Sequence, residues 1–187
     1  RPVIAQERWA LAEWMAHYYY CSLGEALAAM VPTQLRLRAV EPAAPREPAS
    51  GLRAGPELTE HQQRALRAIQ DALGRGEPRT FLLHGVTSSG KTELYLRAIE
   101  ATLADGHGAL CLVPEIALTP QTIDRFRERF GSRVAVWHSR LTTRQRADAW
   151  WALASGACDI GVGTRSAIFL PVARLGLVIL DEEHDAS

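Results

Sequence analysis

Gly85-Val-Thr-Ser-Ser-Gly-Lys-Thr92 is the stretch from which the fold of this 187-residue chain is read. It matches G-x-x-x-x-G-K-[ST], a loop whose glycines let successive backbone N–H groups turn inward on a phosphate. Its surroundings suit that use. The apolar run Thr80-Phe-Leu-Leu-His84 precedes it and predicts a short buried strand. A helix is predicted from Lys91 to about Ala104, and its positive N-terminal end adds to the anion site. Gly85, Val86, Thr87, Ser88, Ser89, Gly90 and Glu93 are thus candidates for the phosphate site, with Lys91 placed to reach the β and γ phosphates. The Thr92 hydroxyl is placed to ligate Mg²⁺. Lys91 is the only lysine among 21 basic residues. A compact ammonium fits between phosphate oxygens where a planar guanidinium does not.

A second signal lies about 90 residues further on. Leu177-Val-Ile-Leu180 predicts a strand that delivers Asp181-Glu-Glu-His184 at its carboxyl end, where a parallel sheet places its ligands. Asp181 is positioned to hold the Mg²⁺ shell, and Glu182 to polarise an attacking water. His184 is placed to couple the nucleotide site to a neighbouring lobe. An acidic cluster is usually a solvated turn, but this one follows a fully apolar strand in a chain that carries a phosphate loop. The pair of motifs argues for nucleoside triphosphate hydrolysis rather than storage.

Between and around the two motifs, strand and helix alternate. Helices are predicted from Leu58-Thr59 to about Leu73, from Pro120 to Phe130 and from Thr143 to Ala154. Strands are predicted at 109–113, 134–137, 159–162 and 177–180. Apolar strands without alternation indicate a parallel sheet covered on both faces. The predicted fold is therefore a three-layer α/β P-loop domain of at least five strands. Residues 9–30 read as helical, broken at Gly24. Their aromatics Trp9, Trp14, Tyr18, Tyr19 and Tyr20 read as a packed face, with base stacking as the alternative. Prolines 42, 45, 48 and 56 mark residues 41–57 as a linker.

Composition narrows the class. At 47% hydrophobic and 22% charged the chain is globular, and its formal net charge is zero, so any nucleic-acid contact must be local. Cys21, Cys111 and Cys158 lack Cys-x-x-Cys spacing, which excludes an all-cysteine zinc site and fits reduced cytosolic thiols. No apolar run approaches a membrane span. The first residue is Arg and the last ones are acidic, so the chain is expected to be a fragment.

Four strings carry a family resemblance: Gly85-Val-Thr-Ser-Ser-Gly-Lys-Thr-Glu93, Val113-Pro-Glu-Ile-Ala-Leu-Thr-Pro-Gln121, Val162-Gly-Thr-Arg-Ser-Ala-Ile-Phe169 and Asp181-Glu-Glu-His-Asp185. With His138-Ser139, they resemble the PriA family of replication-restart helicases, DEAH-type members of superfamily 2. Trp14-Met-Ala-His-Tyr-Tyr-Tyr20 and Leu23-Gly-Glu-Ala-Leu27 are similar to the end of that family's N-terminal DNA-binding domain.

The resemblance implies a RecA-like lobe at 58–187, a domain tail at 1–40, and ATP with Mg²⁺ as cofactors. It further implies single-stranded and forked DNA and primosome proteins as partners, and a cytoplasmic location. Gln62 becomes the amide that senses adenine. Thr119, Gln121, Thr164, Arg165 and Ser166 become donors to the single-strand phosphate backbone, against helix capping for Thr119 and Thr164 and surface charge for Arg165. Two departures stand out. The stretch between Pro32 and Leu58 is too short for the family's winged-helix domain. The second lobe, with its zinc module, is expected only beyond Ser187, so no zinc site is expected here. The rival readings are another superfamily 2 translocase (RecG-like or restriction-type) and a fork-binding module with a dispensable ATPase.

Overall fold

The computed structural model describes residues 6–32, 55–86 and 89–181. A helical hairpin comes first, α1 (Gln6–Tyr18) and α2 (Leu23–Met30). The second unit runs α3 (Glu60–Arg75), α4 (Lys91–Ala104), β1 (Gly108–Leu112), α5 (Pro120–Phe130), β2 (Val134–Trp137), α6 (Thr143–Ala154), β3 (Ile160–Gly163) and β4 (Leu175–Leu180). A 3₁₀ helix, Arg165–Phe169, follows β3.

Local chemistry sets the helix starts. Ser22, Thr59 and Thr142 each close a capping box with the residue three positions on (Glu25, Gln62 and Gln145). Thr119 caps α5, and Pro120 fills its first position, where a missing N–H costs nothing. α4 starts differently, directly from Gly90 at φ +81°.

The four strands lie in the order β2-β3-β1-β4, all parallel. Successive residues of β1 feed opposite faces. Ala109 and Cys111 pack with Leu96 and Ile99 of α4 and Phe126 and Phe130 of α5. Leu110 and Leu112 pack with Trp150 and Leu153 of α6 and Ala167 of the 3₁₀ helix. The result is the three-layer α/β architecture anticipated from the strand pattern, with four strands among the described residues.

Two expectations are corrected. The run Thr80–His84 is not a strand, and Leu82 is 88% exposed. Apolar residues make a strand only where a ladder partner exists, and the described sheet pairs β4 with β1 alone. The aromatics at positions 9–20 are not packed either: Trp14 is 54% and Tyr20 95% exposed. The packed side of the hairpin is instead Ala12, Ala26 and Met30. Trp14 and Tyr18 lie one turn apart on the outside, stacked at 4.9 Å. Cys111 and Cys158 are buried, Cys21 is half-buried, and none of the three is in a disulfide. Among the described residues no helix is long and apolar enough to cross a membrane.

Candidate functional site

Parallel strands all point their carboxyl ends to one edge, and the candidate residues gather there. Asp181 leaves β4, Thr164 follows β3, and His138 follows β2. Pro114 to Thr119 connects β1 to α5.

At the phosphate loop, Lys91 Nζ donates to the Gly85 carbonyl at 2.8 Å, so its ammonium lies within the loop. Gly90 must be glycine. Its φ is left-handed, and a Cβ there would stand 2.6 Å from Gln62 Nε2. Gln62 uses one lone pair and one hydrogen of its amide here: its Oε1 accepts from the Thr59 N–H at 2.8 Å, and its Nε2 donates to the Ser89 carbonyl at 2.9 Å. It therefore staples the first turn of α3 to the loop. An open cleft of about 570 Å³ lies beside it, lined by Leu58, Gln63, Leu66, Arg67 and Arg97 among others. Val86 and Ser89 are exposed. Glu93 is held by Arg97 at 2.9 Å, with Arg129 at 3.7 Å. Thr87, Ser88, Glu182 and His184 lie outside the described residues.

The two motifs meet through a residue that neither contains. Tyr95, on the second turn of α4, donates its hydroxyl to Asp181 Oδ1 at 2.9 Å. Below Asp181 the buried Cys111 thiol is pushed up to about 12, first by desolvation and then by the Asp181 charge. It stays a neutral thiol.

The remaining loops form the neighbouring part of the edge. Thr119 Oγ1 accepts from the Thr122 N–H at 3.2 Å, so its hydroxyl caps α5. Gln121 is exposed. Thr164 makes no side-chain cap bond, Arg165 is exposed, and Ser166 Oγ accepts from Trp137 Nε1 at 3.1 Å. Ser139 donates its hydroxyl to Glu115, and Arg146 Nη2 donates to the Ser139 carbonyl at 2.5 Å, tying the β1 and β2 loops together. His138 is held below its ordinary value by burial and by Arg140 and Arg146, with Glu115 opposing.

This arrangement can clasp a phosphate chain at Lys91 and offer Asp181 oxygens beside it. It also presents exposed donors along the loops after β1 and β3. Comparison with known proteins agrees in kind. The model of the DEAD/DEAH box helicases matches residues 59–187, and that of a 3'DNA-binding domain (3'BD) matches residues 1–32. The chain is similar to the replication restart protein PriA of Treponema pallidum (strain Nichols), 47% identical over 184 residues, covering 97% of this chain and 27% of the relative. It is similar to the protein of that name from Bacillus subtilis (strain 168), 52% identical over 130 residues, covering 70% and 16%. A third, from Synechocystis sp., is 49% identical over 141 residues, covering 75% and 17%. The chain thus spans between 16% and 27% of the length of these relatives.

Proposed function

The chain belongs to the DEAD/DEAH box helicase family, and from that premise we propose that it is the ATP-binding lobe of a PriA-type replication-restart DNA helicase. The reading is that the protein hydrolyses ATP with Mg²⁺ to move along single-stranded DNA and acts at forks with primosome proteins. A cytoplasmic location follows from that role. The observation that carries the reading is the Tyr95–Asp181 hydrogen bond, which joins the helix of the phosphate loop to the acidic cluster at 2.9 Å.

Each residue then has a task. Lys91 trades the Gly85 carbonyl for β and γ phosphate oxygens, while the loop from Gly85 to Thr92 supplies backbone N–H donors. Gln62 fixes the loop against α3 and presents its amide toward adenine. Thr92 and Asp181 offer hard oxygen donors of the kind Mg²⁺ takes. Among the described residues no group of three or more His, Cys, Asp or Glu could cage a metal. Mg²⁺ is commonly held by one or two protein oxygens together with substrate phosphates. When bound, the ion neutralises charge developing on the phosphates. Glu182 orients the attacking water, and His184 relays the state of the site to the partner lobe. Thr119, Gln121, Thr164, Arg165 and Ser166 hold the strand's phosphates without reading bases.

The test is Lys91→Ala. Calorimetry should show binding of ATP·Mg²⁺ lost, because the loop has no other ammonium. Equal affinity in variant and parent would overturn the assignment.

A further inference from the structure

The loop Gly163-Thr-Arg-Ser166 runs directly into the 3₁₀ helix Arg165–Phe169, and the far end of that helix is held by the hairpin. Arg8, on α1, donates from Nη1 to the Phe169 carbonyl at 2.7 Å and from Nη2 to the Leu170 carbonyl. The last carbonyls of a helix have no internal partner and carry partial negative charge, so a guanidinium there is well placed. Bonds from a charged donor are roughly twice as strong as neutral ones. The Phe169 side chain packs against the hairpin cluster of Ala12, Ala26 and Met30.

The path onward to the loop is continuous. The Leu170 N–H donates to the Ala167 carbonyl at 2.9 Å, and the Ala167 N–H donates to the Thr164 carbonyl at 2.8 Å. Ala167 is fully buried, so the turn between Thr164 and Leu170 is clamped at its middle by the sheet and at its end by Arg8. Releasing the end takes the Arg8 donor from the Phe169 carbonyl, while the Leu170 carbonyl keeps its bond from the Val172 N–H at 2.9 Å. The turn that presents Thr164, Arg165 and Ser166 then loses one of its two supports.

We propose that Arg8 and Phe169 form a joint that couples the α1–α2 hairpin to the strand-gripping loop, with Arg8 a positioning residue for the phosphate contact at Arg165. The joint makes the hairpin and the grip one mechanical unit, so displacement of the hairpin loosens the grip. The inference rests on the reading of that loop as a DNA contact.

The experiment uses the whole chain with four variants: Arg8→Ala, Arg8→Lys, Arg165→Ala, and the double Arg8→Ala/Arg165→Ala. Affinity for a fluorescein-labelled oligothymidylate is measured by anisotropy, nucleotide affinity with a fluorescent ATP analogue, and amide exchange by mass spectrometry. Arg8→Ala should weaken oligothymidylate binding about tenfold, the worth of one charge-assisted hydrogen bond. It should speed exchange across residues 167–170 and leave nucleotide affinity unchanged. Arg8→Lys, which keeps a cation at the carbonyls, should recover most of the loss. The double variant should lose less than the sum of the single losses. If Arg165→Ala changes nothing, the strand-grip reading falls and the joint with it. If Arg165→Ala weakens binding but Arg8→Ala does not, or the two losses add, the joint alone is overturned. A parallel fall in nucleotide affinity for Arg8→Ala would mark a general structural role and overturn it too.

Discussion

A phenol on one helix meeting a carboxylate 86 positions later is what turns two separate motifs into one site. Tyr95 occupies Oδ1 of Asp181, so the carboxylate is oriented before any ligand arrives. Cys111, beneath it, remains protonated and offers no competing thiolate. Tyr95→Phe removes the hydroxyl and keeps the ring that packs against the core. It should weaken the Mg²⁺-dependent part of ATP affinity roughly threefold to tenfold, as expected for one hydrogen bond to a charged group. Binding measured without Mg²⁺ should be unchanged. Calorimetry with and without the ion separates the two, and an unaltered Mg²⁺ dependence would remove Tyr95 from the site. Nothing in the sequence singled out Tyr95. It stands one turn past the phosphate loop in an ordinary amphipathic stretch, and its partner is close only because α4 lies across the β4 end of the sheet. The family resemblance names Gln62 as an amide that senses adenine, but its double hydrogen bond to Thr59 and Ser89 depends on how α3 packs.

Among the elements, the caps decide most, and Thr119, proposed as a phosphate contact, is also one of them. Its hydroxyl is committed to the Thr122 N–H of α5, so its first effect is on the helix. Thr119→Ala should cost about 1 kcal/mol of stability, read as a lower urea midpoint with unchanged slope, and Thr119→Ser should restore it. A loss of oligothymidylate affinity with no change in midpoint would return Thr119 to the DNA contact. Capping chemistry also explains what was legible. Thr119-Pro120 and Thr142 with Gln145 fix where α5 and α6 begin, and the bounds of both helices coincide with those read from the sequence, as do those of α4. Local signals of this kind survive without tertiary information. Thr80–His84 failed because a strand is a property of a pair, and apolar character alone cannot supply the partner. The aromatics of α1 failed for a related reason. Their hydrophobicity suggested a packed face, but the hairpin closes through the smaller Ala12, Ala26 and Met30, which let the helices approach closely.

At the scale of the whole molecule, charge and length set the limits of what these residues can do. Acidic and basic residues balance at 21 each, so net charge supplies no steering toward DNA, and the proposed strand contacts are local donors at the carboxyl edge. In the proposed reading the nucleotide likewise meets one wall, with Lys91, Thr92 and Asp181 acting from the side of the phosphate loop. Phosphoryl transfer needs developing charge stabilised from the opposite side as well, and an arginine finger there is worth about a thousandfold to a hundred-thousandfold in rate. The PriA relatives are several times longer than this chain, which spans 16% to 27% of them, and a two-lobed motor moves because one lobe shifts against the other as ATP closes the gap. A polypeptide of residues 1–187 alone should therefore bind ATP·Mg²⁺ yet turn it over near background, with little stimulation by single-stranded DNA and little further loss on Glu182→Gln. In a protein of the relatives' length carrying this lobe, single-stranded DNA should stimulate hydrolysis strongly, and Glu182→Gln should remove that stimulation. Phosphate release from both proteins, with and without oligothymidylate, makes the comparison. Robust DNA-stimulated turnover by residues 1–187 alone would mean that both walls of the catalytic cleft lie within them, and the one-wall account would be wrong.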